Sequence, residues 1–297
     1  MDTQAKSLLL IFNPKAGRSK PRGPLFDALA VLSEGGYLIR IHRTTAAGDA
    51  VETAAREGGK YDLVVASGGD GTLNEVISGL SRLEHPPLLG YLPQGTTNDF
   101  AASLHLPGDP EQAASAIVRG NVQVLDIGQW NQRSFVYVAS FGAFTKSSYS
   151  APQAAKNALG HFAYILEGMK DLNSLRPYRV HLTADGENLD GEYLFGAVCN
   201  STSIGGLMKL DPGRVILDDG KFELLLIPNP KSAIELQNLV LNLLNQNFDG
   251  QGLVFRHVSQ LHLETEEELP WSLDGEYAPS VPVVDIANRQ GALRLLL

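Results

Sequence analysis

"VVASGGDGTLNEV", residues 64–76, sets an apolar run directly against Gly68-Gly69-Asp70-Gly71-Thr72. A short run without polar alternation reads as a parallel strand covered on both faces. The glycines that stop it let main-chain N–H groups approach a ligand, and Leu73–Leu83 behind them has helical spacing. Strand, glycine turn and helix in that order place partial positive charge at the turn, which suits a phosphate. A carboxylate such as Asp70 would repel bare phosphate, so its presence calls for a magnesium ion or a hydroxyl nearby. A tight turn with an aspartate cap and no ligand is the other reading.

Outward from this stretch, the first third alternates strands with helices. Ser7–Phe12, Tyr37–His42, Asp62–Ser67 and Leu88–Pro93 are strand-like. Asp49 with Glu52 has capping-box spacing, and Gly58-Gly59 ends that helix. Asp109-Pro110 with Gln112 starts another, which Gly120 ends. This predicts a doubly wound parallel sheet.

After about residue 121 the texture changes. Val122–Gly128, Ser134–Phe141, Tyr178–Ala184, Glu192–Asn200, Phe222–Pro228 and Ser259–Thr265 look like strands, mostly separated by turns, which favours an antiparallel sheet or sandwich. Two helices interrupt them. One carries Phe162, Ile165, Leu166, Met169 and Leu172 at helical spacing; the other runs from about Ser232, with Glu235 completing a capping box, to Asn247. Either apolar stripe suits a core face or a membrane surface. The expected boundary lies near residues 121–130, giving domains 1–128 and 129–297, with a return of the last strand to the first domain left open.

Composition narrows the class. The 297 residues carry a net charge of −9, which argues against nonspecific nucleic-acid binding. The longest early apolar run, Leu8–Phe12, is far short of the about 20 residues of a membrane-spanning helix. No signal-peptide pattern flanks it, so cytoplasm is the expected compartment, with peripheral contact at the inner face of the cell membrane. Cys199 is the single cysteine, which excludes an internal disulfide. Lys15, Arg18, Lys20 and Arg22 form a local basic excess, either a solvated loop or a phosphate-attracting one. The seven histidines show no metal-ligand spacing such as HExxH. Trp130 and Trp271 are most simply packing residues.

Two phosphate motifs are absent: there is no GxxxxGK[ST], and Gly69–Asn74 lacks the third glycine of the dinucleotide fingerprint. A second glycine turn follows the next strand, in "LLGYLPQGTTNDFA", with Gly95-Thr96-Thr97-Asn98-Asp99. Parallel strands deliver such turns to one edge, where Asn13-Pro14-Lys15-Ala16-Gly17 also arrives.

The ordered turns "NPKAG", "GGDGTLNEV" and "GTTNDFA", with "LDDGKFEL" (217–224) and "LDGEY" (273–277), resemble the diacylglycerol kinase catalytic-domain family. That superfamily includes sphingosine, ceramide and bacterial lipid kinases, and the chain looks most like the soluble bacterial diacylglycerol kinases. The resemblance covers nearly the whole chain. It implies a nucleotide-binding α/β domain and a β-sandwich domain with the active site between them. It also implies ATP and Mg2+ as cofactors and a lipid substrate, diacylglycerol or a related alcohol, giving phosphatidic acid from diacylglycerol. Asn13, Pro14, Lys15, Ala16 and Gly17 would sit beside the phosphates, and Thr44, Gly68, Gly69, Asp70, Gly71, Thr72, Asn74, Glu75 and Thr96 match ATP contacts. Asp70 and Asp99 would organise magnesium and phosphates. Glu276 matches the proton acceptor, supported by Asp274. Ile216, Asp219 and Lys221 fall where related enzymes hold a structural magnesium, the first and last through main-chain carbonyls. Ala102 replaces an arginine that many relatives have, and Asp218 stands where asparagine is frequent.

The residues themselves favour a carboxylate base. Phosphoryl transfer to an alcohol needs charge neutralisation, in-line positioning and a group to take the hydroxyl proton. No histidine lies within the glycine motifs or beside Asp274-Gly275-Glu276. Glu264, Glu266, Glu267 and Glu268 read as a solvated acidic edge. Phe141 and Phe144 suit either a core or a lipid-chain pocket. Two rivals remain: an NAD kinase or other small-molecule kinase, and a non-catalytic nucleotide- or lipid-binding regulator. Transient contact with a membrane surface is expected of a lipid kinase; a homo-oligomer is compatible with the chain, though no feature encodes one.

Overall fold

Four segments, Lys6–Phe12 (β1), Tyr37–Arg43 (β2), Leu63–Gly68 (β3) and Leu88–Pro93 (β4), form parallel pairs in the order β4-β3-β1-β2. The computed structural model describes residues 5–16, 23–95, 98–142, 176–201, 203–204, 208–209, 215–245, 247–248, 250 and 252–297. The helix with Phe162 to Leu172, Phe144, Gly17 and Thr96 lie outside them. The chain divides into two units, Met1–Leu125 with Gly291–Leu297, and Asp126–Gln290.

In the first unit β3 is buried along its whole length, which is why its sequence shows no alternation. Its helices are Gly23–Glu34 (α1), Asp49–Glu57 (α2), Asp70–Leu80 (α3), Asp99–Ser103 (α4) and Pro110–Arg119 (α5). Leu8, Leu10, Leu63 and Val65 form one core with Ala28 and Leu32 of α1 and Ala114 and Ile117 of α5. Each buried leucine contributes about 2 kcal/mol of transfer free energy. Val64 points to the opposite face, beside Gly58 and Leu80, where α2 packs on α3.

Local signals met different fates. Asp109 accepts a hydrogen bond from the Gln112 N–H at 3.1 Å, and Gly120 closes α5 in the left-handed conformation, as expected. The capping box at Asp49 does not form. Gly48 is the cap, and Asp49, already inside α2, turns back to the Thr45 N–H and hydroxyl and to His42. Those amide and hydroxyl bonds hold its carboxyl down at about 2. α3 begins at Asp70 rather than Leu73 and ends at Leu80 rather than Leu83.

The second unit is antiparallel. Its strands start with Val122–Trp130 (β5, shared with the first unit), Arg133–Phe135 (β6), Val138–Gly142 (β7), Tyr178–Ala184 (β8), Glu187–Asn188 (β9) and Gly191–Cys199 (β10). Ser203–Ile204 (β11) pairs Met208–Lys209 (β12), and Phe222–Pro228 (β13) follows. Ala233–Leu244 (α6) precedes Val254–Val258 (β14), Gln260–Glu264 (β15), Trp271–Leu273 (β16), Glu276–Ala278 (β17) and Val283–Leu296 (β18). Ser232 caps α6 by accepting the Glu235 N–H at 3.2 Å, and the helix stops at Leu244, short of Asn247.

One layer runs β17-β16-β7-β10-β13-β14, and β8-β15-β18 forms the other. Strict alternation in β8 and β15 turns Val180, Leu182, Leu261 and Leu263 inward to meet Phe222, Leu224, Phe141 and Trp271. Trp130 and Trp271 meet edge-on in this core at 5.9 Å. Phe141 lies 5.0 Å from Trp271 and is buried as a core residue. β18 serves both units: residues 283–287 pair β15, and Leu295 pairs Leu89 of β4 in parallel.

Candidate active site

In the first unit the chain leaves β1 toward β2 on one side and returns to β3 on the other, so the strand order reverses between β1 and β3. Ligands of open α/β sheets bind at that reversal, beyond the carboxyl ends of the strands. Asn13 and Gly68–Thr72 occupy this place. The Asn13 N–H donates to the Ser67 carbonyl at 2.9 Å, and its amide donates to Thr72 Oγ1 at 3.0 Å. Asn13 Oδ1 accepts the Lys15 N–H at 2.9 Å, which curls Pro14, Lys15 and Ala16 over the end of β1. Asn13 is therefore a brace between the two turns, while the Lys15 side chain is exposed.

The second glycine turn meets the first through bare backbone. A Cβ on Gly69 would lie 3.2 Å from the Gly95 Cα, and one on Gly95 only 2.7 Å from the Gly69 Cα. A Cβ on Gly68 would strike Thr72 Oγ1 at 2.5 Å. The glycines serve first to let the turns touch, which leaves the α3 N-terminus uncovered by side chains of its own turn. Asp70, the first residue of α3, accepts the Phe100 N–H at 3.2 Å through Oδ1, so it also anchors the α4 turn. Gln94 reinforces the junction, donating its main-chain N–H to the Gly68 carbonyl at 2.7 Å and its side chain to Ser67 Oγ at 2.6 Å. Gln94 carried no signal in the sequence, because its role depends on its neighbour strand. Asp99 opens α4.

Thr44 directly follows β2, its N–H on the Phe12 carbonyl at 2.9 Å. Asn74 is half-buried one turn into α3. Glu75 turns away from the glycine turns: its two oxygens accept the Gly48 N–H at 2.9 Å and the Ala50 N–H at 3.2 Å. It caps α2 by a tertiary route, the job that the Asp49 spacing had promised locally.

In the second unit, Asp274 and Gly275 are the two turn residues between β16 and β17, with φ of 50° and 83°. Both values are left-handed, the hairpin geometry that selects Asp-Gly. The Asp274 carboxylate is buried and accepts the N–H groups of Val136, Tyr137 and Val138 at 2.7, 2.9 and 3.0 Å. Tyr137 returns a bond from its hydroxyl to the Asp274 carbonyl at 2.9 Å. Asp274 is thus a buried anchor, and Glu276, first residue of β17, is exposed.

The 217–221 turn is held from below. Buried Asp126 accepts the Gly220 N–H at 2.7 Å through Oδ2, and its own N–H donates to the Leu217 carbonyl at 2.8 Å. Asp219 Oδ1 accepts the Lys221 N–H at 2.9 Å, with the side chain exposed. Among the described residues no group of three or more His, Cys, Asp or Glu side chains could hold a metal. A divalent ion here would therefore depend on main-chain carbonyls beside Asp219, a hard all-oxygen set that suits magnesium. Sequence reasoning also missed Glu223, whose carboxyl is pushed up to about 8 by burial first and then by the Asp219 charge.

The strand reversal with two glycine turns touching at its carboxyl edge defines a nucleotide-type α/β unit, and an antiparallel β unit accompanies it in the chain. The model of the diacylglycerol kinase catalytic domain matches residues 7–130, and that of the YegS C-terminal NAD kinase beta sandwich-like domain matches residues 138–297. The chain is 36% identical over 282 residues to the diacylglycerol kinase of Bacillus subtilis (strain 168), covering 93% of this chain and 92% of that one. It is 32% identical over 278 residues to the diacylglycerol kinase of Staphylococcus aureus (strain MRSA252), covering 93% and 88%. A crystal structure of a diacylglycerol kinase from Bacillus anthracis str. Sterne superposes with a TM-score of 0.78 at 27% identity, covering 100% of this chain and 98% of that one. The chain belongs to the diacylglycerol kinase family.

Proposed function

We propose that the chain transfers the γ-phosphoryl group of ATP to the hydroxyl of diacylglycerol, giving phosphatidic acid and ADP. The observation that carries this reading is the backbone contact of the two glycine turns at the β1/β3 reversal, beside the α3 N-terminus. The names of the relatives supply the acceptor lipid.

In this reading the glycine-turn amides and the α3 N-terminus bind phosphate oxygens, and Thr44 borders the nucleotide. Asp70 and Asp99 would hold a magnesium carried by the nucleotide, and Ile216 and Lys221, through their main-chain carbonyls, with Asp219 would hold a structural one. Magnesium neutralises phosphate charge when bound. The acceptor oxygen forms a bond to the γ-phosphorus as the bond to the β–γ bridging oxygen breaks. Glu276 takes the hydroxyl proton. Asp274 acts through Glu276, by holding its hairpin. The substrate resides in a bilayer, so transient membrane contact belongs to the proposal.

The test is incubation with Mg2+, γ-labelled ATP and vesicles carrying diacylglycerol, ceramide, sphingosine or monoacylglycerol, with NAD as a soluble acceptor. Label in phosphatidic acid is expected. Label in NAD alone makes the chain a small-molecule kinase; ATP binding with no labelled acceptor makes it a regulator.

A further inference from the structure

Tyr91 on β4 is only 2% exposed, and its ring meets Phe100 edge-on with centroids 6.2 Å apart. A phenol hydroxyl buried in such surroundings costs free energy unless it finds acceptors. Two are within reach: the Gly68 carbonyl oxygen at 3.2 Å and Asn98 Oδ1 at 3.3 Å. The first belongs to the turn after β3, the second to the turn after β4. Each acceptor is already engaged at the same junction. The Gly68 carbonyl also takes the Gln94 N–H at 2.7 Å, and Asn98 Oδ1 also takes the Gly95 N–H at 2.8 Å. Burial first, and then the charge of Asp70, push the phenol above its ordinary value, so the hydroxyl keeps its proton and remains a donor.

We propose that Tyr91 is a positioning residue for the nucleotide: its one hydroxyl proton, shared between Gly68 O and Asn98 Oδ1, adds to the Gln94 bonds in holding the two glycine turns together and thereby raises the affinity for a triphosphate. The assignment rests on the kinase reading and goes beyond it, since Tyr91 is buried and acts through Gly68 and Asn98. Sterically, phenylalanine at this position fills the same space and bridges nothing. The consequence reaches the site through Asn98. Its backbone sits at φ 53°, directly before Asp99 and Phe100, and the Phe100 N–H donates to Asp70 Oδ1 at 3.2 Å. Without the Tyr91 bond the Asn98 side chain is held, among the described residues, by Gly95 alone, at 2.8 and 3.1 Å, which slackens the α4 start and with it the Asp70 carboxylate.

The test uses the full chain as Tyr91→Phe, Asn98→Gly and the double variant; glycine tolerates the left-handed backbone at 98. Mg-ATP affinity is read by calorimetry, rates are read against ATP and against diacylglycerol, and folding is read by thermal melting. For Tyr91→Phe the Mg-ATP Kd and the ATP KM rise about fivefold, as loss of one shared hydrogen bond implies. The lipid KM stays at its original value, and the melting temperature falls by no more than a few degrees. In the Asn98→Gly background the same change weakens ATP binding much less, because the two residues act as one unit. Unchanged ATP affinity, equal rises in both KM values, strict additivity, or a Tyr91→Phe chain that melts more than a few degrees early or does not fold overturns the assignment. Failure of the unaltered chain to bind Mg-ATP instead overturns the kinase reading and takes the assignment with it.

Discussion

Asp274 and Glu276 stand two residues apart and have opposite physical situations. Asp274 is buried under three main-chain N–H donors, while Glu276 is exposed at the start of its strand. Asp274→Ala leaves buried donors unsatisfied, so it should cost about 3 kcal/mol of stability in denaturant unfolding. Both residues lie in the "LDGEY" stretch, whose family resemblance assigned the proton to Glu276 and support to Asp274, but not that the support is burial under Val136–Val138, which arrive from far along the chain. His262 offers a titration at the same scale. Its Nδ1 lies 2.6 Å from Asp285 Oδ1 and its Nε2 3.1 Å from Glu264 Oε1, with His181 on neighbouring β8 facing Glu264 across the ladder. Only an imidazolium donates from both nitrogens, and the Asp285 bond, then the Glu264 bond, raise its pKa. With the folded value above the unfolded one, its stabilising contribution is complete below about 6.5 and fades as pH rises through the raised value. An NMR titration of His262 should give a midpoint above that of an unfolded peptide, returning toward it in Asp285→Asn.

At the scale of elements, helix packing in the first unit depends on Gly79. A Cβ there would lie 2.3 Å from the Val51 carbonyl oxygen and 2.7 Å from the Ala54 Cβ, so α2 and α3 touch at backbone distance. Gly79→Ala should destabilise the chain by about 2 kcal/mol despite alanine's better helix propensity, measured by denaturant unfolding. Strands β1, β3 and β4 were legible because burial on both faces leaves apolar runs, whereas edge strand β2 alternates with Arg40, His42 and Arg43. Asp109-Pro110 was legible because its cap is local. The Asp49 box failed because Thr45 and His42 compete for the carboxylate, and Glu75, from another helix, took over the α2 cap. The last strand was expected without bounds, and its return to the first domain stayed open, because Asn288, Arg289, Gln290 and Gly291 interrupt its pattern where it passes between partners. The glycine turns of the site were plain in the sequence, whereas Gln94 and Tyr91 were not, since their polar contacts exist only across strands.

At the scale of the whole molecule, the terminal residues complete the first unit. Leu295 pairs with Leu89 beside β4, Leu296 joins the core of Leu8 and Leu10, and the Leu297 N–H donates to the Asn121 carbonyl at 2.9 Å. Removing residues 291–297 strips β4 of that neighbour and uncovers the core. The shortened chain should melt well below the full one and lose Mg-ATP binding. The family resemblance could be read from five motifs; the acceptor lipid had no signature outside that resemblance. The central claim is that Glu276 takes the proton during γ-phosphoryl transfer to a lipid hydroxyl. Its most direct test is the turnover of diacylglycerol by Glu276→Gln, with Mg-ATP affinity measured in parallel. The account predicts unchanged ATP affinity and a kcat lower by roughly 100-fold or more; turnover equal to that of the unaltered chain contradicts it.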